Sequence, residues 1–198
     1  MSLTRPLLVA LLAAVSALSC TGESDQDPPA ADTTTATATA TATEPDPTDT
    51  ATWTVGMTAA PESVGAPPMP VLTALRTGTH PDYERMTVEI GPEASGPPGY
   101  RVEYIDRPLT ECGSGNQIFP VGDAWLELRL EPAAAHTEAG QPTLGAREIA
   151  VQGRLLLRIY RTCDFEGVVT LVMALASPNP YRVSTLADPW RIAVDVER

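Results

Sequence analysis

From Pro70 onward, apolar residues recur at every second position, and that period restricts this chain more than any other feature. Met86, Val88 and Ile90 alternate with Thr87 and Glu89. Leu126, Leu128 and Leu130 alternate with Glu127, Arg129 and Glu131, and Ile192, Val194 and Val196 with Ala193, Asp195 and Glu197. Successive side chains of an extended chain point to opposite sides, so each run predicts a strand with one buried and one wetted face. The runs Arg154 to Tyr160 and Val168 to Ala176 are less polar and predict strands buried more fully, near the middle of a sheet. Turn signals separate the runs: Gly91-Pro92, Gly96-Pro97-Pro98-Gly99, Gly113-Ser114-Gly115, Gly140-Gln141-Pro142 and Pro178-Asn179-Pro180. No amphipathic helical window is left over. About eight or nine short strands in about 130 residues predict a single antiparallel β-sandwich over residues 70–198. The longest loop, Pro132 to Gly145, is Ala-rich, has room for one helical turn and is a candidate contact surface.

The stretch before that domain cannot fold in the same way. Residues 20–69 are dominated by Thr, Ala, Pro, Asp and Glu, with Thr-Ala alternation between Thr35 and Thr43. Such a composition buries too little apolar surface to offset its ordering entropy and predicts a disordered tether. For about 49 residues a soft linker reaches roughly 40 Å root-mean-square. Trp53 and Met57 are the sizeable apolar residues in its middle, either weak contacts to the domain or incidental. The threonines are either O-glycosylation sites or part of an unmodified spacer.

At the other end, Arg5 precedes an apolar run from Leu7 to Leu18. About a dozen residues suit a secretory signal and fall short of the roughly 20 that span a bilayer. Ala17, Leu18, Ser19 and Cys20 resemble the lipobox of bacterial lipoproteins, in which small residues precede a cysteine that is acylated and becomes the mature N-terminus. Here Ala17 holds the place usually taken by leucine, three before the cysteine. The resemblance implies a signal peptide over residues 1–19, lipid attachment at Cys20 and a membrane-anchored protein facing the extracytoplasmic side of a bacterial envelope. The alternative is an ordinary signal-peptidase site that releases a soluble protein. Lipid on Cys20 leaves Cys112 and Cys163 as an even pair that can bond; an unmodified Cys20 leaves an odd thiol in an oxidising compartment.

The net charge of −12 is unevenly spread. Eight acids and no base lie between Thr21 and Met69, while 17 acids and 12 arginines follow, a difference of −5. A phosphate backbone requires a basic stripe, so nucleic acid is excluded as a partner. Every base is Arg, and Arg offers carboxylates a bidentate grip that Lys does not.

The segment His80-Pro81-Asp82-Tyr83-Glu84-Arg85-Met86-Thr87-Val88-Glu89-Ile90, followed by Gly99-Tyr100-Arg101-Val102-Glu103-Tyr104, resembles the opening of the AMIN-like domain of bacterial envelope lipoproteins. Ala135-His136-Thr137-Glu138 is similar to its middle loop. Phe165-Glu166-Gly167-Val168-Val169, Pro180-Tyr181-Arg182-Val183 and Asp188-Pro189-Trp190-Arg191-Ile192-Ala193-Val194-Asp195-Val196 are similar to its closing strands. The closing run also resembles the AMIN domain of cell-wall amidases and pilus secretins, a β-sandwich that holds its host to peptidoglycan or at division sites. The resemblance implies a wall-directed binding module of a group with no established reaction. Cys112 and Cys163 depart from the family pattern. Two departures to the same residue type suggest an added disulfide; the alternative is two buried free thiols.

Catalysis has little to work with. His80 and His136 lie in no zinc-binding spacing, and Ser95, Ser114, Ser177 and Ser184 lack a nucleophile elbow. Asp164/Glu166 and Asp195/Glu197 are carboxylate pairs on one strand face, and a solvated sheet edge explains them better than glycoside chemistry. Asp188 and Asp195 flank Arg191 at ion-pair spacing. No catalytic residue, metal ligand or cofactor is assigned. For binding, the candidates are Tyr100, Arg101, Tyr104, Arg107, Tyr181 and Arg182, together with Trp190, because aromatic faces stack on sugars and Arg holds stem-peptide carboxylates; the alternative for the aromatics is core or edge packing. The sequence thus predicts a noncatalytic envelope lipoprotein that binds or localises to peptidoglycan, with recruitment of an envelope protein as the alternative and a minor wall hydrolase as the weaker one.

Overall fold

The computed structural model describes residues 51–62 and 67–198. The expected signal peptide, Cys20 and the tether as far as residue 50 lie outside the described residues. Twelve strands and no helix make up the described part: β1 (Thr58–Ala60), β2 (Leu72–Thr79), β3 (Tyr83–Ile90), β4 (Gly99–Ile105), β5 (Leu109–Thr110), β6 (Gln117–Ile118), β7 (Ala124–Glu131), β8 (Glu148–Ala150), β9 (Leu156–Phe165), β10 (Val168–Leu175), β11 (Tyr181–Leu186) and β12 (Arg191–Glu197). The sequence predicts eight or nine, and the surplus consists of β1, β5, β6 and β8, each only two or three residues long. A run that short has no period to read.

All pairings between the named strands are antiparallel. A six-stranded sheet runs β1-β4-β7-β10-β9-β8, a four-stranded sheet runs β11-β12-β3-β2, and β5-β6 form a separate two-stranded hairpin. The alternating apolar residues meet between the two large sheets. Met86, Val88, Ile90, Val194 and Val196 of one pack with Val102, Leu126, Leu128, Leu130 and Leu171 of the other in one continuous core. Leu128 is 1% exposed, and truncating such a side chain to Ala costs about 2–5 kcal/mol.

Strand β10 is buried on both faces. Val169, Leu171, Met173 and Leu175 face the main core, while Val172 and Ala174 join Leu109 and Tyr160 in a second apolar cluster outside the six-stranded sheet, closed by Ile105, Ile118 and Trp125. The β5-β6 hairpin is the cover, and it explains the unbroken apolar run in β10. A disulfide between Cys112 and Cys163, with Cα atoms 5.1 Å apart, fixes that cover to β9. The backbone N–H of Cys112 also donates to the Thr162 carbonyl at 2.9 Å. Between β9 and β10 the reversal takes two residues, Glu166 (φ 51°) and Gly167 (φ 77°). Two successive positive φ values match the right-handed twist of the flanking strands, and Gly at the second position removes the steric cost.

Three expectations are corrected. Residues 51–62, assigned to the tether, are ordered on the sandwich: β1 pairs with β4, and Thr54 exchanges backbone hydrogen bonds of 2.9 and 2.8 Å with Tyr181. One short segment thereby covers the edge of both sheets, a long-range pairing that composition does not register. Trp53 is docked whereas Met57 is 57% exposed. In the Pro132 to Gly145 loop there is no helical turn, and Ala133, Ala134 and Ala135 are buried under β2, where Leu72 N donates to the Ala134 carbonyl at 2.8 Å. Small side chains let that backbone pack closely, so this part of the loop is core rather than contact surface.

Asp195 is the third. It lies on the outer face of β12, predicted to be wet, yet is 1% exposed. Arg85 on β3 grips it with two hydrogen bonds of 2.5 and 2.9 Å, and Arg182 on β11 adds one of 2.9 Å. Arg191 donates to the carbonyl of Pro189 at 3.3 Å, and the ion partners of Asp195 are Arg85 and Arg182. The outer face is dry there because Trp53 and Tyr83 lie over the Arg182 guanidinium at 4.7 and 5.1 Å.

Candidate functional site

The six candidate ligand-binding residues do not converge on one place. Tyr181 is 0% exposed, and its hydroxyl donates into the backbone, with the carbonyls of Gly56 and Val102 at 2.5 and 2.8 Å. It is a clasp between β11, β4 and the 51–62 segment and cannot stack on a ligand. Tyr104 points inward beside it, rings edge to face at 5.9 Å, and donates to the Asn179 carbonyl at 2.5 Å. Burial, reinforced by the neighbouring Tyr181, pushes the Tyr104 phenol up to about 12 from 10.0. Burial likewise raises Tyr181. Trp190 packs against the core margin. Arg182 belongs to the closed cluster on the four-stranded sheet, where its charge serves Asp195.

Tyr100 has the inward parity of Tyr104 on β4 and packs against the core, whereas Arg101 and Arg107 lie on or beside the opposite face of the domain. There, the outward residues of β4 and β7 form cross-strand rows: Gly99 opposite Glu131, Arg101 opposite Arg129, Glu103 opposite Glu127, and Ile105 opposite Trp125. Along the strands Arg101 binds Glu103 at 2.9 Å and Arg129 binds Glu131 at 2.8 Å, while Arg107, in the loop after β4, binds Glu127 at 2.7 Å. The three guanidinium side chains stay 44–56% exposed.

Two open grooves meet at Arg129. The larger, about 360 Å³, runs between Pro61 and Glu62 on one side and Tyr100, Arg101 and Arg129 on the other. It depends on Gly99, whose added Cβ would lie 2.9 Å from the Glu131 carbonyl and 3.0 Å from Glu62 N. The smaller, about 190 Å³, lies under the β5-β6 hairpin, with Arg107, Glu127 and Arg129 on one wall and the disulfide on the other. Arg129 and the 51–62 wall are absent from the sequence-based candidates. Arg129 is visible in the sequence only as one polar residue of a wet face, and nothing there tells which residue stands opposite it.

Other titratable groups have structural partners. Glu84, 1% exposed, accepts backbone N–H bonds from Arg154, Leu155 and Leu156 at 2.8, 3.1 and 2.7 Å and so holds the turn before β9. Asp164 accepts from Ala135 N at 2.9 Å and lies 2.8 Å from His136 Nδ1, fixing the buried loop. Among the described residues no group of three or more His, Cys, Asp or Glu stands close enough to hold a metal ion. What remains is a shallow, charged, open sheet face, suited to gripping a polar ligand lying across it.

The described residues thus form a disulfide-stapled antiparallel β-sandwich with an open double groove on an arginine- and glutamate-lined sheet face. The model of the AMIN-like domain family matches residues 70–198, and the chain belongs to that family of cell-envelope domains. Searches of curated proteins and of solved structures return no significant match.

Proposed function

We propose that this chain is a noncatalytic envelope lipoprotein whose sandwich binds peptidoglycan through the outer face of the six-stranded sheet. The observation that carries the reading is the open double groove around Arg129, on a domain of the AMIN-like family. Stem peptides of the wall present free carboxylates, and guanidinium groups hold carboxylates through charge-assisted, planar hydrogen bonds. Both grooves are open, as an insoluble polymeric ligand requires.

In this reading Cys20 carries the lipid and the acidic stretch between residue 21 and residue 50 is the tether. The ordering of residues 51–62 shortens the tether to 30 residues, for which a soft linker reaches roughly 30 Å root-mean-square. Recruitment of an envelope protein through a sheet edge has less room, since β1 occupies the free edge of β4 and Thr54 engages β11. Two experiments test the proposal. Sedimentation of the full chain, in mild detergent, with insoluble peptidoglycan is expected to deplete it from the supernatant; no depletion, with co-purification of envelope proteins, supports recruitment instead. Mass spectrometry of the native protein is expected to show a diacylglyceryl group on an N-terminal Cys20, and a mature N-terminus without it refutes the anchor.

A further inference from the structure

The wet face of β4 and β7 is arranged against its own stability. Facing strands are stabilised when opposite charges stand directly across from one another and destabilised when like charges do. Here Arg101 stands opposite Arg129, and the next row sets Glu103 opposite Glu127. A slip of one row, two residues, would match Arg with Glu and still leave Leu126, Leu128 and Leu130 on the buried face, so the buried alternation alone does not dictate the like-charge rows. The guanidinium groups relieve themselves along the strands: Arg101 uses one nitrogen for Glu103 and Arg129 one for Glu131, and both remain about half exposed at the same groove. Rules of local consistency broken at an exposed concave spot point to a function that the break serves.

Resting on the wall-binding reading, we infer that Arg101 and Arg129 form a two-pronged site for a single carboxylate group, the free carboxylate of a wall stem peptide. A bound carboxylate between two cross-strand guanidinium groups replaces their repulsion with two charge-assisted contacts, and the planar fork of Arg fits the planar anion. Ala60 and Pro61 give the groove its apolar wall, on which the ligand's carbon chain rests. Rows of Glu lie on both sides, Glu131 in one and Glu103 with Glu127 in the other, at about 7 Å along the strand for a two-residue step. They bring the local charge near zero. A polyanion carrying a charge at every repeat meets those rows unfavourably, whereas one isolated carboxylate does not.

The test uses the full chain and its Arg101→Gln, Arg129→Gln and double variants. In the first arm, an acetylated dipeptide with a free C-terminal carboxylate is titrated against the side-chain Nε signals of arginine in an NMR spectrum. The same dipeptide with an amidated C-terminus and inorganic phosphate serve as the comparison ligands. In the second, each protein is sedimented with intact peptidoglycan and with glycan strands stripped of their stems. The free acid is expected to shift Arg101 and Arg129 together, and the amide and phosphate to leave them in place. Each single variant is expected to weaken retention on intact wall at least about tenfold, the loss of one charge-assisted bond. Its urea midpoint is expected to stay the same, because the lost like-charge contact offsets the lost exposed ion pair to Glu103 or Glu131. Retention of the double variant equal to that of the natural chain overturns the site while wall binding stands. A natural chain that fails to sediment but whose two arginines still respond to the free acid overturns wall binding while the carboxylate site stands. Equal response to phosphate or to the amide overturns carboxylate selectivity. A fall in the midpoint with unchanged retention makes the pair structural.

Discussion

Replacing Cys112 and Cys163 by Ser should separate a covalent clamp from the packing beneath it. The bond closes a loop with a sequence separation of 51, for which the chain-entropy model gives about 14 cal/mol/K, or about 4 kcal/mol at 25 °C. A domain of this size has only about 5–15 kcal/mol of stability in total. The double variant should nevertheless fold, because Leu109 remains 4% exposed against Val172, Ala174 and Tyr160, an apolar contact that does not depend on the sulfurs. Urea titration followed by far-ultraviolet circular dichroism should show an unchanged slope and a lower midpoint, with a loss of about 2–4 kcal/mol once native-state strain and residual unfolded structure are allowed for. Hydrogen exchange should quicken most at the backbone amides around Cys112 and Thr162, where the hairpin meets β9. Equal midpoints for the natural and double-Ser chains would refute the idea that the bond limits the unfolded ensemble. Faster exchange confined to the four-stranded sheet would refute the placement of the clamp.

Other sites give sharper or milder effects. Asp195→Ala removes the shared counter-charge of Arg85 and Arg182 from a nearly dry site and is expected to cost about 3–5 kcal/mol; a chemical-denaturation loss under about 1 kcal/mol would show that the pair is solvated. Tyr104 and Tyr181 both have phenols raised in the folded state, so the sign is fixed: the stability they confer is whole below about pH 10 and is lost as the pH climbs, for Tyr104 through about 12. Ultraviolet phenolate absorbance should show these two of the five tyrosines ionising late and together with unfolding. All five ionising near pH 10 in a folded protein would contradict this. Thr58→Pro with Ala59→Pro removes two successive backbone donors of β1, one of which faces β4 because N–H groups alternate sides along a strand, and should release the 51–62 segment from the edge of β4, read as rapid hydrogen exchange in that segment with the main core still protected.

Period two reports faces well and neighbours poorly, and the difference explains what could be read from the residues. Leu126, Leu128 and Leu130 announce β7 and its buried side because burial depends on a residue's own strand. The Arg101–Arg129 and Glu103–Glu127 rows depend on how two strands separated by a hairpin are aligned, which a single sequence leaves open. Segment 51–62 escaped for a related reason: Thr54 and Thr58–Ala60 have tether composition, and their order comes from two sheet edges supplied by distant strands. Asp195 and Tyr181 look like surface residues in their own strands, yet Trp53 and the edge segment place a dry layer over the one and a clasp around the other. The two cysteines were legible as an even pair, whereas the hairpin they secure was too short to show a pattern.

Wall binding through the β4–β7 face is the central claim, and its most direct measurement is sedimentation of the full chain with purified insoluble peptidoglycan, alongside the Arg101→Gln/Arg129→Gln variant. The natural chain is expected to pellet with the wall while the variant, still folded, stays largely in solution. A natural chain that remains in the supernatant, or a variant that pellets as completely as it does, contradicts that claim.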